Sequence, residues 1–218
     1  MKKNKKTQDA LFLKNEGDQW FKRNEKALGK AKFEPVSYLL DLYSLRPKSI
    51  IDIGCSDGWR LERLRKKYGA HCVGVDASKL AIRNGQKKYP KLDLKKSSVS
   101  DIHIKDLKFD LAIIIFVFHW ISRETLMQSL SEIDRMIKPG GYLIIGDFAP
   151  DAPTKNKYHH LPKDDVWTYK DFYPEMFTKT GAYYEVARFT NGYPHLTFTA
   201  DAPAENRAVF CLLRKNTN

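Results

Sequence analysis

Between residues 49 and 148, short apolar runs alternate with stretches in which apolar residues recur every three or four positions. The runs cover 49–54 (SIIDIG), 72–77 (CVGVDA), 92–99 (LDLKKSSV, the least apolar), 109–116 (FDLAIIIF) and 141–148 (GYLIIGDF). Runs of this length without polar alternation predict strands buried on both faces, and the stretches between them, 59–68, 78–88 and 123–137, predict amphipathic helices. Leu126, Leu130, Ile133 and Ile137 mark the inward face of the last helix, which Pro139, Gly140 and Gly141 are expected to end. The alternation predicts an α/β fold, a mostly parallel sheet with helices on both faces.

The flanks follow other patterns. Residues 1–48 are polar, with two candidate helices, DQWFKRNEKAL and VSYLLDLYSL, separated by Pro35 and expected to cap the sheet. After Phe148, APDAPTKNKYHHLPKDDVWTYK shows neither period and reads as irregular. A short helix, KDFYPEMFTKTG, and two strand-like runs, YYEVARFT and RAVFCLLRK, joined through NGYPH, complete the chain. With no repeat and no linker, 1–218 reads as one domain: a helical cap (1–48), a core (49–148), and an insert with C-terminal strands (149–218).

A chain of 218 residues buries a core without disulfides, and Cys55, Cys72 and Cys211 are too few and too scattered for a disulfide framework or a zinc site. No segment approaches the roughly 18 apolar residues of a membrane span. MKKNKK is followed by polar sequence where a signal peptide needs an apolar stretch, so a cytoplasmic location is expected. The net charge is +12, with lysines gathered in MKKNKK, RLRKKYG and GQKKYPKLDLKK. These runs sit at helix ends, in a loop and at the chain start, without interleaved aromatics, so solvated surface charge is preferred over a nucleic-acid site. An anionic small molecule fits the charge equally well.

The chemistry concentrates in IIDIGCSDGWRLERL. A phosphate loop would need Lys and Ser or Thr after its last glycine, whereas Trp59 and Arg60 follow Gly58. A dinucleotide turn would need G-x-G-x-x-G, and the acidic residues around Gly54 and Gly58 would repel a pyrophosphate. They suit a ligand with an ammonium, a sulfonium and a ribose. Asp52 is expected to orient the loop and attract the amino group, and Asp76, ending the second strand, to accept from both ribose hydroxyls. Asp101, in SSVSDIH, is expected to accept from an adenine amine while the Ile102 amide donates to the ring.

From IIDIGCSDG through VGVDAS, SDI and FDLAIIIFVFHWI to MIKPGGYLIIGDF, residues 49–148 resemble, in order, the class I S-adenosylmethionine-dependent methyltransferases. The resemblance implies a Rossmann-like seven-stranded sheet with an antiparallel C-terminal hairpin. It implies S-adenosylmethionine as cofactor, with S-adenosylhomocysteine as product. Cys55 and Ser56 in the loop, Ala77 beside Asp76, and Phe116 at the end of the fourth strand join the candidate cofactor residues. One departure is Ser56, where family loops often carry the middle glycine of G-x-G-x-G. In the cap, Trp20, Arg23 and Asn24 share a helix side. Trp20 is a candidate cover for the cofactor and Arg23 a candidate clamp for its carboxylate. This segment is similar to the GN-x-Y-x-x-RN stretch of methylases of bacterial surface-sugar biosynthesis.

The methyl acceptor is expected above the carboxyl ends of the strands. His119, just past the fourth strand, and Tyr158, His159 and His160 in the insert are the candidate catalytic residues, a histidine serving as general base toward a hydroxyl. His159 and His160 have no third ligand at metal spacing, so no metal is expected. The leading expectation is methyl transfer to a polar small molecule, a sugar or nucleotide-sugar hydroxyl. An RNA or protein methyltransferase and a non-catalytic cofactor-binding module are the alternatives. FVFHW stands where exocyclic base-amine methylases carry [ND]PP[YF], which disfavours that chemistry. Acceptor identity and oligomeric state are not encoded in any motif.

Overall fold

The Thr7 hydroxyl caps helix α1 (Gln8–Leu11), which passes through one π-helical turn, Phe12–Glu16, into α2 (Gly17–Asn24). The structure is a computed structural model and describes residues 7–30, 33–105, 108–193, 197–199 and 201–217. Glu34 starts α3 (Pro35–Leu42) by accepting from the amides of Val36 and Ser37, with Pro35 at the first position, where no amide is needed. The alternating core is β1 (Ser49–Ile53), α4 (Trp59–Tyr68), β2 (His71–Asp76), α5 (Lys79–Lys88), β3 (Asp93–Lys96), β4 (Phe109–Ile115), α6 (Leu126–Arg135) and β5 (Ile137–Phe148). A hairpin of β6 (Thr154–Lys157) and β7 (Trp167–Lys170) follows, then α7 (Glu175–Thr178), β8 (Tyr183–Gly192), the two-residue β9 (Thr197–Phe198) and β10 (Arg207–Lys215).

The main sheet has the order β3-β2-β1-β4-β5-β10-β8, with β9 paired to the end of β8 at the edge. β1 to β5 run parallel, and β10 lies antiparallel between β5 and β8. This is the expected Rossmann-like sheet of seven strands with an antiparallel C-terminal pair. The chain winds one way from β1 to β3 and the other way from β4 to β5, so the crevice between β1 and β4 is the place where such a fold binds ligands.

Alternation along β1 divides the core. Ile50 packs with Leu39, Leu61 and Leu64 from α3 and α4, while Ile51 and Ile53 pack with Ile133 and Met136 at α6. Each such side chain contributes about 1.5–3 kcal/mol on burial. Lysines fall in the last turns of α4 (Lys66, Lys67) and α5 (Lys87, Lys88), where the carbonyl ends of the helices favour cations.

Three expectations need revision. Helix α6 stops at Arg135, and β5 already begins at Ile137. Gly140, at φ 72°, and a register shift opposite Phe109 and Leu111 absorb Pro139 as a bulge rather than a turn. The third strand covers only Asp93–Lys96. The segment after Phe148 is not irregular throughout: β6 and β7 pair in register, Asn156 opposite Thr168, although every residue of β6 is exposed and offers no apolar alternation. The MKKNKK run and Pro194 and His195 of the NGYPH loop lie outside the described residues. No helix among the described residues is long and apolar enough to cross a membrane.

Candidate active site

A cavity of about 620 Å³ opens at the carboxyl ends of β1, β2, β4 and β5 and is roofed by the N-terminal segment and the β6–β7 hairpin. Gln8 fastens the roof. Its Nε2 donates to the carbonyls of Trp120 (2.6 Å) and Trp167 (2.8 Å), and its Oε1 accepts from the Trp167 amide (2.9 Å).

The β1–α4 turn forms part of the floor. Gly54 (φ 81°) and Gly58 (φ 79°) adopt backbone conformations that other residues resist, and a Cβ on Gly54 would overlap Val117 Cγ2. The amides of Gly54 and Cys55 both donate to the Val75 carbonyl, at 2.8 and 3.0 Å. Ser56 takes the left-handed conformation as well, at φ 53°, at a cost of about 1–2 kcal/mol for a residue with a Cβ. Its amide donates to Asp76 Oδ2 (2.8 Å), and the Ser78 amide donates to Asp76 Oδ1 (2.7 Å). Burial nonetheless pushes the Asp76 carboxyl up to about 6, because two amide donors do not replace full hydration. Gly54, Cys55, Ser56, Asp76 and Ala77 all line the cavity, whereas Gly58 packs on Leu92 and Leu94 beneath it.

Asp52 is fully buried behind this turn rather than on the cavity wall. Its Oδ2 accepts from Arg60 Nη1 (3.1 Å), and Oδ1 has no partner among the described residues. Burial raises the Asp52 carboxyl pKa, and the Arg60 charge opposes the rise. Arg60 also binds Glu34 (3.2 Å), stacks 4.9 Å from the Trp59 ring, and lines the cavity together with Trp59.

Other expected cofactor residues lie elsewhere. Trp20 lines the cavity, but Arg23 does not: it donates to Glu16 and to the Tyr158 hydroxyl (2.8 Å). The guanidinium at the cavity is therefore Arg60. Asp101 points outward, exposed and paired with His103 Nδ1 (3.2 Å), and the Ile102 amide is taken by Glu132 Oε2 (3.1 Å). Ser97, Ser98 and Val99 line the cavity instead, because the chain turns away after them, through a bridge between Ser98 and Asp101.

At the other end, β4 stops at Ile115, and Phe116 just beyond it is held at φ 54° while its amide donates to the Gly146 carbonyl (2.7 Å). A 3-10 turn, Phe118–Trp120, then brings His119 to the cavity wall. The buried His119 ring places Nδ1 2.8 Å from Oδ1 of Asp147, itself buried near the end of β5. Asp147 also accepts from the His119 amide (3.3 Å) and the Phe148 amide (2.8 Å). A carboxylate partner makes Nδ1 the protonated nitrogen, leaving Nε2 as a proton acceptor.

The insert residues divide. Tyr158 is buried at the cavity wall, donates to Glu16 Oε1 (2.7 Å), and has its phenol pKa raised, by burial first and the Glu16 bond second, so it ties the hairpin to the cap. His159 is exposed at the cavity rim. His160 is exposed and off the cavity, its imidazole pKa lowered by desolvation and then by Arg23 and His159. Among the described residues no group of three His, Cys, Asp or Glu side chains is placed to hold a metal.

Residues 51–145 match the methyltransferase domain family. The chain is 29% identical over 114 residues, 52% of its length, to malonyl-[acyl-carrier protein] O-methyltransferase 1 of Coxiella burnetii. It is 29% identical over 154 residues, 64% of its length, to the tRNA N(3)-methylcytidine methyltransferase of Schizosaccharomyces pombe. The matched region spans 38% and 48% of these two relatives. In fold, the chain is similar to the Burkholderia thailandensis 1,6-didemethyltoxoflavin-N1-methyltransferase, solved with 1,6-didemethyltoxoflavin and S-adenosylhomocysteine. The TM-score is 0.73 at 15% identity, over 95% of this chain and 88% of that one.

Proposed function

We propose that the chain is a class I S-adenosylmethionine-dependent methyltransferase and that it methylates a hydroxyl of a polar small molecule with His119 as general base. The observation that carries this reading is the buried Asp147–His119 pair, which shares one cavity with the Gly54–Ser56 turn and Asp76.

The residues present fit the cofactor. Ser56 Oγ, on the cavity wall, is buried without a partner, the state expected of a group awaiting a donor, and Gly54 leaves the turn free of a side chain. Asp76 would accept from the ribose hydroxyls, and Trp20 would cover the cofactor. Arg60 would face the carboxylate, and buried Asp52 would add an attractive field for the ammonium. When bound, S-adenosylmethionine supplies a methyl carbon on a sulfonium, and the C–S electron pair returns to sulfur as the acceptor oxygen bonds to that carbon.

His119 Nε2 would take the acceptor's hydroxyl proton, and Asp147 would hold the ring and stabilise the imidazolium that results. Such bases contribute about 10²–10⁴ in rate. The roof fastened by Gln8 would exclude water and hold the acceptor in line, which for a displacement at carbon supplies much of the acceleration. A sugar or nucleotide-sugar hydroxyl is one acceptor class for the assay.

Calorimetry with S-adenosylhomocysteine tests the cofactor half of the proposal: micromolar binding is expected. Binding of a nicotinamide dinucleotide or a triphosphate in its place would overturn it. Turnover of His119→Gln on any acceptor the native enzyme methylates tests the other half.

A further inference from the structure

The β6–β7 hairpin presents two chemically different faces. Alternation with Asn156 opposite Thr168 and Thr154 opposite Lys170 puts these four on one side, and Lys155, Lys157, Trp167 and Tyr169 on the other. On the outer face the lysines are satisfied: Lys155 Nζ lies 4.1 Å and Lys157 Nζ 4.7 Å from the Trp167 ring centre, and Lys157 also reaches Asp165 at 4.0 Å. Asn156, Thr168 and Lys170 of the inner face line the cavity, and Lys157, at the end of β6, reaches its edge as well.

Lys170 is differently placed from the outer lysines. Its Nζ donates to the Glu205 carbonyl (2.7 Å) and lies 4.1 Å from the centre of the Phe148 ring, and it makes no ion pair among the described residues. Burial lowers its ammonium pKa, with Asp147 and Glu205 opposing the shift. One donor of three is used on a protein oxygen, and an anion in the cavity would engage the others.

Phe148 is the hub of an aromatic floor. Its ring centre lies 5.0 Å from His119, 5.0 Å from Tyr193 and 5.3 Å from Phe116. The proton acceptor and the ammonium therefore flank the same ring. The carboxylates at this end are already occupied: Asp147 by His119 and the Phe148 amide, and Asp9 by the Ser122 amide and the Thr125 hydroxyl. A wall with aromatic rings, the ammonium groups of Lys170 and Lys157 and no free carboxylate is poorly suited to the many hydroxyls of a sugar. It suits a flat ring with one acidic substituent.

We propose that the acceptor is an aromatic hydroxy acid, its ring packed on the Phe148 floor, its carboxylate on Lys170, and its hydroxyl toward His119. This deepens the methyltransferase reading and rests on it. The test begins by titrating the full chain with S-adenosylhomocysteine, because failure at that step overturns the cofactor reading itself. The loaded protein is then titrated with 3- and 4-hydroxybenzoate, their methyl esters and glucuronate. At least one acid should bind tenfold or more tightly than its ester. Lys170→Met should erase that difference while leaving S-adenosylhomocysteine affinity unchanged, and Lys170→Arg should keep most of it. Should Lys170→Met misfold, the acid-to-ester ratio of the native protein and its decline with added salt decide the matter. Acids no tighter than esters, no binding by either hydroxybenzoate, or tighter binding of glucuronate would overturn the assignment.

Discussion

His119 and Asp147 lie 28 residues apart on different elements and meet through a 2.8 Å contact between Nδ1 and Oδ1, both side chains buried. The contact joins the ends of β4 and β5 at the cavity and fixes the tautomer that leaves Nε2 able to accept a proton. His119→Gln is expected to lower turnover by about 10²–10⁴, the usual worth of a general base. Asp147→Asn should follow in the same direction, because an amide does not stabilise the imidazolium. Neither change should alter S-adenosylhomocysteine affinity by more than about threefold, a cost under 1 kcal/mol. Single-turnover rates together with calorimetry separate the two effects; equal losses in both would point to a merely structural pair.

The adjacent histidines of the insert are expected to behave differently. His159 is exposed at the rim, and His160 does not line the cavity. Alanine at either position is expected to change kcat by no more than a few fold, in line with the small effects of surface substitutions. A loss of a hundredfold or more in His159→Ala, measured beside His119→Gln, would transfer the role of base to the hairpin.

Asp76 should make cofactor affinity depend on pH. Its carboxyl is raised to about 6 by burial, and only the ionised form accepts from both ribose hydroxyls. Affinity for S-adenosylhomocysteine should be flat above about pH 7 and fall by up to about tenfold per unit below 6. The sign for folding is opposite. A raised carboxylate pKa gives the folded state the greater proton affinity, so the stability contributed by Asp76 is full below about pH 4, the unfolded value, and is lost as pH rises through 6. The increase in Tm produced by S-adenosylhomocysteine should therefore be larger at pH 7.5 than at pH 5. Asp76→Ala should abolish that difference, and a scan that is flat with pH in the native protein would remove Asp76 from the ribose site.

The core was legible because burial on both faces leaves an unbroken apolar run, and each of the five expected parallel strands is found with its boundary shifted by no more than a few residues. Gly54, Ser56 and Asp76 could be read for a related reason: backbone geometry and a carboxylate at a strand end are local properties. The hairpin could not be read, since TKNK carries no apolar alternation, and WTYK, in which Trp167 and Tyr169 alternate with Thr168 and Lys170, is only four residues long and finds its partner in TKNK alone. Asp101 and Arg23 were misplaced because a side chain's direction depends on the partners it finds: Asp101 pairs with His103 while Glu132 takes the neighbouring Ile102 amide, and Arg23 is held by Glu16 and the distant Tyr158. Asp147 left a signal that was passed over. A lone acid inside the apolar run IIGDF, at the carboxyl end of a central strand, must find a buried partner, and His119 is the nearest histidine in the fourth-strand segment.

Gly54 and Gly69 offer a controlled test of whether the turn is shaped by its backbone or by its surroundings. Both hold positive φ, at 81° and 68°, but a Cβ on Gly69 meets nothing within 4 Å while one on Gly54 overlaps Val117 Cγ2. Gly69→Ala therefore incurs only the conformational cost of about 1–2 kcal/mol. Gly54→Ala adds an overpacking cost of about 1–3 kcal/mol and pushes Val117, which lines the same cavity, off its place. Its denaturation midpoint should fall further than that of Gly69→Ala, and its S-adenosylhomocysteine affinity should drop while that of Gly69→Ala stays native. Val117→Ala removes the overlapping methyl, so the double variant Gly54→Ala, Val117→Ala should be more stable than the two single losses added together, with a coupling of about 0.5–3 kcal/mol for residues in contact. Strict additivity in that cycle would mean that the turn relaxes away from Val117, and that the close approach does not set the shape of the site.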